Sequence, residues 1–106
     1  MKPKITPDTK ALFEAILSLE SVQECAAFFE DVCTIKEIQD ISQRYAVARM
    51  LDRGEKYQSI EEATGASTAT ISRVNKCLAY GSGGYRTVIK KAVSKGSTQG
   101  EKRYDK

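Results

Sequence analysis

The 106-residue sequence predicts an all-α fold. Three observations carry that reading. No segment alternates apolar and polar residues over the several positions that a half-buried strand needs. Apolar residues instead recur at spacings of three and four along most of the chain. Helix punctuation is dense, with Ser/Thr-x-x-Glu capping boxes at Ser21 to Glu24 and Thr34 to Glu37 and glycines where the apolar periods break off.

Six helices follow in order. Asp8 or Thr9 can cap a first helix to about Leu19, with Leu12, Phe13, Ile16 and Leu17 on one face. Ser21 opens a second, whose Val22, Cys25, Ala26, Phe29 and Val32 share a face. Thr34 opens a third through Ile38, Ile41, Tyr45, Ala48 and Leu51. Arg53 suits the carbonyl end of its dipole, and Gly54 offers the left-handed residue that ends it. A short fourth helix fits Tyr57 to Thr64 and is broken by Gly65. Ser67 caps a fifth, with Ile71, Val74 and Leu78 on its apolar face, ending near Tyr80-Gly81. After the loop Ser82-Gly83-Gly84, Tyr85 to about Val93 forms a sixth carrying Arg86, Lys90 and Lys91. Residues 1–94 are expected to make one helical domain. Residues 95–106 lack apolar periodicity and are expected to be a disordered basic tail.

Charge is distributed unevenly. Residues 1–65 carry 8 Lys/Arg and 12 Asp/Glu, net −4, whereas residues 66–106 carry 9 Lys/Arg and 2 Asp/Glu, net +7. A basic half is the electrostatic footprint of a polyanion binder, with a solvated basic tail as the alternative. Cys25, Cys33 and Cys77 are odd in number, lack C-x-x-C spacing and sit in apolar helical patterns. They read as small buried hydrophobes in a reducing compartment. The N-terminus has no apolar signal core, and no run reaches the ~18 apolar residues of a membrane span, so a cytoplasmic protein without a membrane partner is expected. Catalysis finds no support. The chain has no histidine, no nucleophile and base at motif spacing, no metal-ligand cluster and no phosphate loop, so no catalytic residue, cofactor or metal is assigned.

The chemistry concentrates in residues 57–80. A helix that reads the DNA major groove needs short side chains on its first turn, so that its backbone can approach base edges. Ser67, Thr68, Ala69, Thr70 and Ser72 supply hydroxyls for bases or phosphates and methyl groups for thymine. Arg73 and Lys76 follow one or two turns later, where phosphates flank the groove, and Gln58 on the fourth helix adds a further polar contact. The opposite face, Ile71, Val74 and Leu78, would rest on Ile60 and Ala63 of the fourth helix across a Gly65 turn, as in a helix-turn-helix. Glu61 departs from that motif, which usually holds a small residue four positions before the turn glycine. The rival readings are an ordinary helical hairpin with a serine cap, a protein-interaction module that keeps the fold without reading DNA, and binding without sequence preference.

Two segments carry a family resemblance: Gln43-Arg44-Tyr45-Ala46-Val47-Ala48-Arg49-Met50-Leu51-Asp52-Arg53-Gly54-Glu55, and Gly65-Ala66-Ser67-Thr68-Ala69-Thr70-Ile71-Ser72-Arg73. Residues 34–91 resemble the Trp repressor superfamily, and most of all its YerC/YecD-like branch. The resemblance implies a six-helix Trp-repressor-like fold, an intertwined homodimer with exchanged N-terminal helices, and a recognition helix at 68–78 on double-stranded operator DNA. The function it implies is a transcriptional regulator, by expectation a repressor, on a palindromic operator. The wide apolar faces of the first three helices, with Phe13, Phe28 and Phe29, agree with a partner copy, because a chain this short buries only roughly two-thirds of its unfolded surface alone. In the family, two arginines, a glycine and a hydroxyl close a corepressor pocket. Here the arginines match Arg44 and Arg73, the glycine position is Val74 and the hydroxyl position is Cys77. Val74 projects a branched side chain where an indole needs room, and Cys77 is a poor partner for an ammonium group. L-tryptophan is therefore not the expected ligand. Arg44 and Arg73 stand as a candidate site for phosphate or another effector, or as partners of nearby carboxylates.

Overall fold

The computed structural model describes residues 4–96, so the expected tail lies outside the described residues from position 97 onward. Six helices and no strand occupy them: α1 (Pro7–Leu17), α2 (Val22–Val32), α3 (Ile35–Asp52), α4 (Tyr57–Thr64), α5 (Thr68–Tyr80) and α6 (Gly84–Gly96). The chain divides into two compact units, one up to Ile41 and one from Ser42.

The first unit holds α1, α2 and the start of α3. Its local chemistry follows the sequence with small shifts. The α1 cap is Thr6, whose Oγ1 accepts from the Thr9 amide at 3.1 Å, and not Asp8 or Thr9. Pro7 is the cause: its fixed φ and missing N–H suit the first helical position, which moves the cap back to Thr6. The helix ends at Leu17, two residues before the expected Leu19, where the Ser18 hydroxyl donates back to the Ala15 carbonyl at 2.6 Å. Thr34 and Glu37 exchange the two bonds of a capping box, at 3.1 and 2.8 Å. Ser21 accepts from the Glu24 amide at 3.0 Å, while the Glu24 carboxylate reaches one residue further back, to the Glu20 amide at 2.8 Å. Phe28 and Phe29 meet edge to face with centroids 5.4 Å apart. Yet α1 and α2 contain no buried residue, and Leu17 and Val22 are 82% and 79% exposed.

The second unit carries a continuous apolar core of Val47, Ala48, Ile60, Ala66, Ile71, Val74, Leu78 and Ile89. It draws on the second half of α3, on α4, on the turn that follows, and on α5 and α6. Helix α5 packs against both α4 and α6. Ile60 lies under α5 as expected, but Ala63 is exposed; the small residue that enters the core is Ala66, in the turn. Cys77 is exposed, and Cys25 and Cys33 are half-buried, so none is the buried hydrophobe expected. For Cys77 the reason is geometric: it sits about 100° round the helix from Leu78, off the stripe of Ile71, Val74 and Leu78. Helix α6 is longer than expected at both ends. Gly83, at φ +86°, offers its carbonyl to the Thr87 amide at 3.0 Å and so admits Gly84 as the first helical residue. At the far end Ser94 and Lys95 continue the helix, so Lys95 and Gly96 belong to it and not to the tail. No helix among the described residues is long and apolar enough to cross a membrane.

Candidate nucleic-acid interface at the start of α5

The turn between α4 and α5 is tied at several points. Gly65 adopts φ +75° and its amide donates to the Glu61 carbonyl at 2.9 Å, ending α4 in the left-handed conformation. The Thr64 hydroxyl donates to the Ile60 carbonyl at 2.7 Å and accepts from the Ala66 amide at 3.1 Å. From α3, the Gln43 side-chain amide donates to the Thr64 carbonyl at 3.1 Å. Carbonyls that a helix end leaves without partners are thus satisfied on one side by local chemistry and on the other by α3. Sequence reasoning missed both Gln43 and Thr64. A threonine in a last helical turn is a weak local signal; the Gln43 bond spans 21 positions and has no local signature.

The first turn of α5 is equally defined. Ser67 is its cap: the hydroxyl oxygen accepts from the Thr70 amide at 3.1 Å, and the hydroxyl donates to Thr70 Oγ1, also at 3.1 Å. The Thr68 hydroxyl donates to Glu61 Oε2 at 2.5 Å. Glu61 therefore does not break the packing of α4. It is half-buried and bonds across the turn, while Ile60 beside it is fully buried.

Helix α5 divides by face. Ser67, Thr68, Ala69, Ser72, Arg73 and Lys76 are exposed and Thr70 is half-buried, while Ile71, Val74 and Leu78 are buried. Ala69, Ser72, Arg73 and Lys76 stand at the three- and four-residue offsets that put side chains on one side of a helix. Gln58 is also exposed, on the first turn of α4, and no hydrogen bond among the described residues joins it to the α5 set.

The electrostatics point one way. Residues 66–96 contain six Lys/Arg and no Asp/Glu. The ion pairs among the described residues are Lys10–Glu14, Lys36–Asp40 and Arg53–Glu55, so none involves Arg44, Arg73 or Lys76. No carboxylate among the described residues pairs with Arg44 or Arg73, and both arginines are exposed. Arg86 is committed in another way, its Nε donating to the Leu78 carbonyl at 2.8 Å and fastening α6 to the end of α5. Val74 is 1% exposed and fills the core with its branched side chain.

Comparison with known proteins agrees with this architecture. The family model for the Trp repressor protein matches residues 8–93. The protein YerC of Bacillus subtilis (strain 168) is 56% identical over 78 residues, which cover 74% of this chain and 75% of YerC. The crystal structure of a TrpR-like protein from Eubacterium eligens is 55% identical and superimposes with a TM-score of 0.79, over 81% of this chain and 89% of that one. A second solved structure, from Staphylococcus aureus, is 44% identical with a TM-score of 0.80, over 85% of this chain and 94% of its own. With most of its length matched in sequence and in fold, the chain belongs to the Trp repressor family.

Proposed function

We propose that the protein is a sequence-specific DNA-binding transcriptional regulator, a repressor by expectation, that holds a near-palindromic operator as a homodimer in the cytoplasm. Residues 1–94 act as one helical domain in this reading, and the operator is its double-stranded partner. The observation that carries the proposal is the division of α5. Its short hydroxyl residues and uncommitted cations face solvent, while its apolar residues anchor it to α4 and α6. A helix so mounted offers short groups to base edges and Arg73 and Lys76 to flanking phosphates. Two copies related by a two-fold axis would address half-sites one DNA turn apart, ~34 Å.

Selection of duplexes from a random pool, followed by a salt titration of the enriched sequence, tests the reading. A specific reader gives a palindromic motif, a preference of ~10³ or more over competitor DNA and a steep loss of affinity with salt. A uniform affinity for all duplexes would mean binding by the basic half alone. Absence of binding to any duplex at low salt would leave the fold as a protein-interaction module.

The effector reading follows from Val74. In this reading L-tryptophan is not the ligand, because Val74 stands at the position of the family's pocket glycine and Cys77 at that of its hydroxyl. Arg44 and Arg73, both exposed and outside the ion pairs of the described residues, are the candidate groups for phosphate or for another anionic effector. Calorimetric titration with L-tryptophan should give no binding heat at millimolar ligand, and the operator affinity should not change with it.

A further inference from the structure

Glu61 stands where a helix-turn-helix usually has a small residue, and its partner is a residue of the reading turn itself. We propose that Glu61 is a specificity-determining residue of the α5 reader: by holding the Thr68 hydroxyl it makes Thr68 meet DNA through its methyl group, as a thymine contact, and makes Thr70 the hydroxyl donor of that turn. The inference rests on the DNA-reading function proposed above and deepens it.

The argument is an account of protons. A threonine hydroxyl has one proton to donate and two lone pairs. The Thr68 proton is directed at Glu61 Oε2 at 2.5 Å, and a bond to a carboxylate is roughly twice as strong as one between neutral groups. To donate to a base, Thr68 would first have to give up that bond. Ser67 is committed on both counts, since it accepts from the Thr70 amide and donates to Thr70 Oγ1. Thr70 accepts from Ser67, and no bond among the described residues uses its own proton. The turn is therefore polarised. Thr70 can donate to groove acceptors such as guanine O6 and N7 or thymine O4, and Thr68 is left with its methyl group and lone pairs. A thymine methyl is the base feature that an exposed methyl fits.

The carboxylate has a second effect. It places a negative charge next to a residue that faces the DNA, which weakens attraction to phosphates for every sequence alike. That effect lowers the affinity for all duplexes without changing the ratio between them, so the discrimination rests on how Glu61 holds Thr68.

The test uses the full chain and four variants, each melted to verify folding: Thr68→Val, Thr68→Ser, Glu61→Gln and Glu61→Ala. Base preference is read by selection from a random duplex pool and by competition binding. Thr68→Val keeps a methyl without the hydroxyl and should retain the thymine preference. Thr68→Ser keeps the hydroxyl and should lose about four-fold in discrimination, the worth of one buried methyl-sized group. Glu61→Gln, whose amide oxygen still accepts from Thr68, should preserve the preference while binding all duplexes more tightly. Glu61→Ala should bind all duplexes more tightly and lose the preference, because the freed hydroxyl can turn to other bases. The reverse pattern at Thr68, with Ser retaining and Val losing the preference, overturns the inference without involving Glu61. So does an unchanged preference in Glu61→Ala. If the wild type enriches no motif, base reading itself fails and this inference with it. A motif that is indifferent to the Thr68 pair sinks this inference alone.

Discussion

Beyond its two chain neighbours, Gly65 has no heavy atom within 4 Å of the place where a Cβ would stand, so a side chain there meets backbone strain and not a clash. At φ +75°, Gly65→Ala should cost about 1–2 kcal/mol in chemical denaturation, and Gly65→Asn less, because asparagine tolerates the left-handed region. The candidate contacts divide by chemistry in the same residue-by-residue way. Thr70→Ala should alter base preference at one or two positions of the selected motif. Lys90→Ala should weaken binding to all duplexes alike and lower the salt slope by about one. Identical behaviour of the two variants would argue against base reading. At this scale the sequence was most legible where chemistry is local. Ser67 could be named as the cap of α5 because a hydroxyl at a helix start satisfies a free amide there. Glu61 could be seen only as an irregularity, since its partner lies seven positions away across a turn whose geometry is tertiary.

Among the elements, α5 depends on one cap and one apolar stripe. Ser67→Ala removes the acceptor for the Thr70 amide and should cost about 1 kcal/mol. It also removes the donor that orients Thr70 Oγ1, so motif sharpness should fall further than the stability loss accounts for; operator binding compared well below the melting temperature separates the two effects. Ile71→Ala, at a fully buried position of the core, should cost about 2–5 kcal/mol and abolish operator binding along with the fold. The six helices were legible because caps and three-and-four spacings are written within each segment. Their ends were less so. Pro7 overrode the more obvious caps at Asp8 and Thr9, and Ala66 took the core position that helical spacing had suggested for Ala63. Val47, fully buried, was hidden for the same reason: the stripe through Tyr45, Ala48 and Leu51 indicates a face of α3 without fixing how wide it is.

On the scale of the whole molecule, the two units differ in how they bury apolar surface. The second has a core of its own, whereas α1 and α2 contain no fully buried residue and leave Leu12, Phe13, Leu17, Val22 and Val32 exposed. Exposed large apolar residues in such number point to an association surface, which supports the homodimer proposed above. Sedimentation equilibrium at micromolar concentration should give twice the chain mass, and the melting temperature should rise with protein concentration. A folded monomer under those conditions would remove the exchanged-helix assembly. The family resemblance supplied this expectation; apolar periodicity alone pointed to wide faces and could not say what covers them.

Helices that leave so many apolar side chains exposed have a consequence for the cell as well as for the test tube. On the proposed assembly, the amount of competent regulator grows with the square of chain abundance while chains are scarce. Occupancy of the operator then switches on over a narrow range of gene dosage instead of rising in proportion to it. The same helices would admit a chain whose α5 is disabled, and such a chain would inactivate the normal copies with which it mixes. Expressed beside the wild type, a Thr70→Ala, Arg73→Ala double variant should therefore interfere dominantly with regulation.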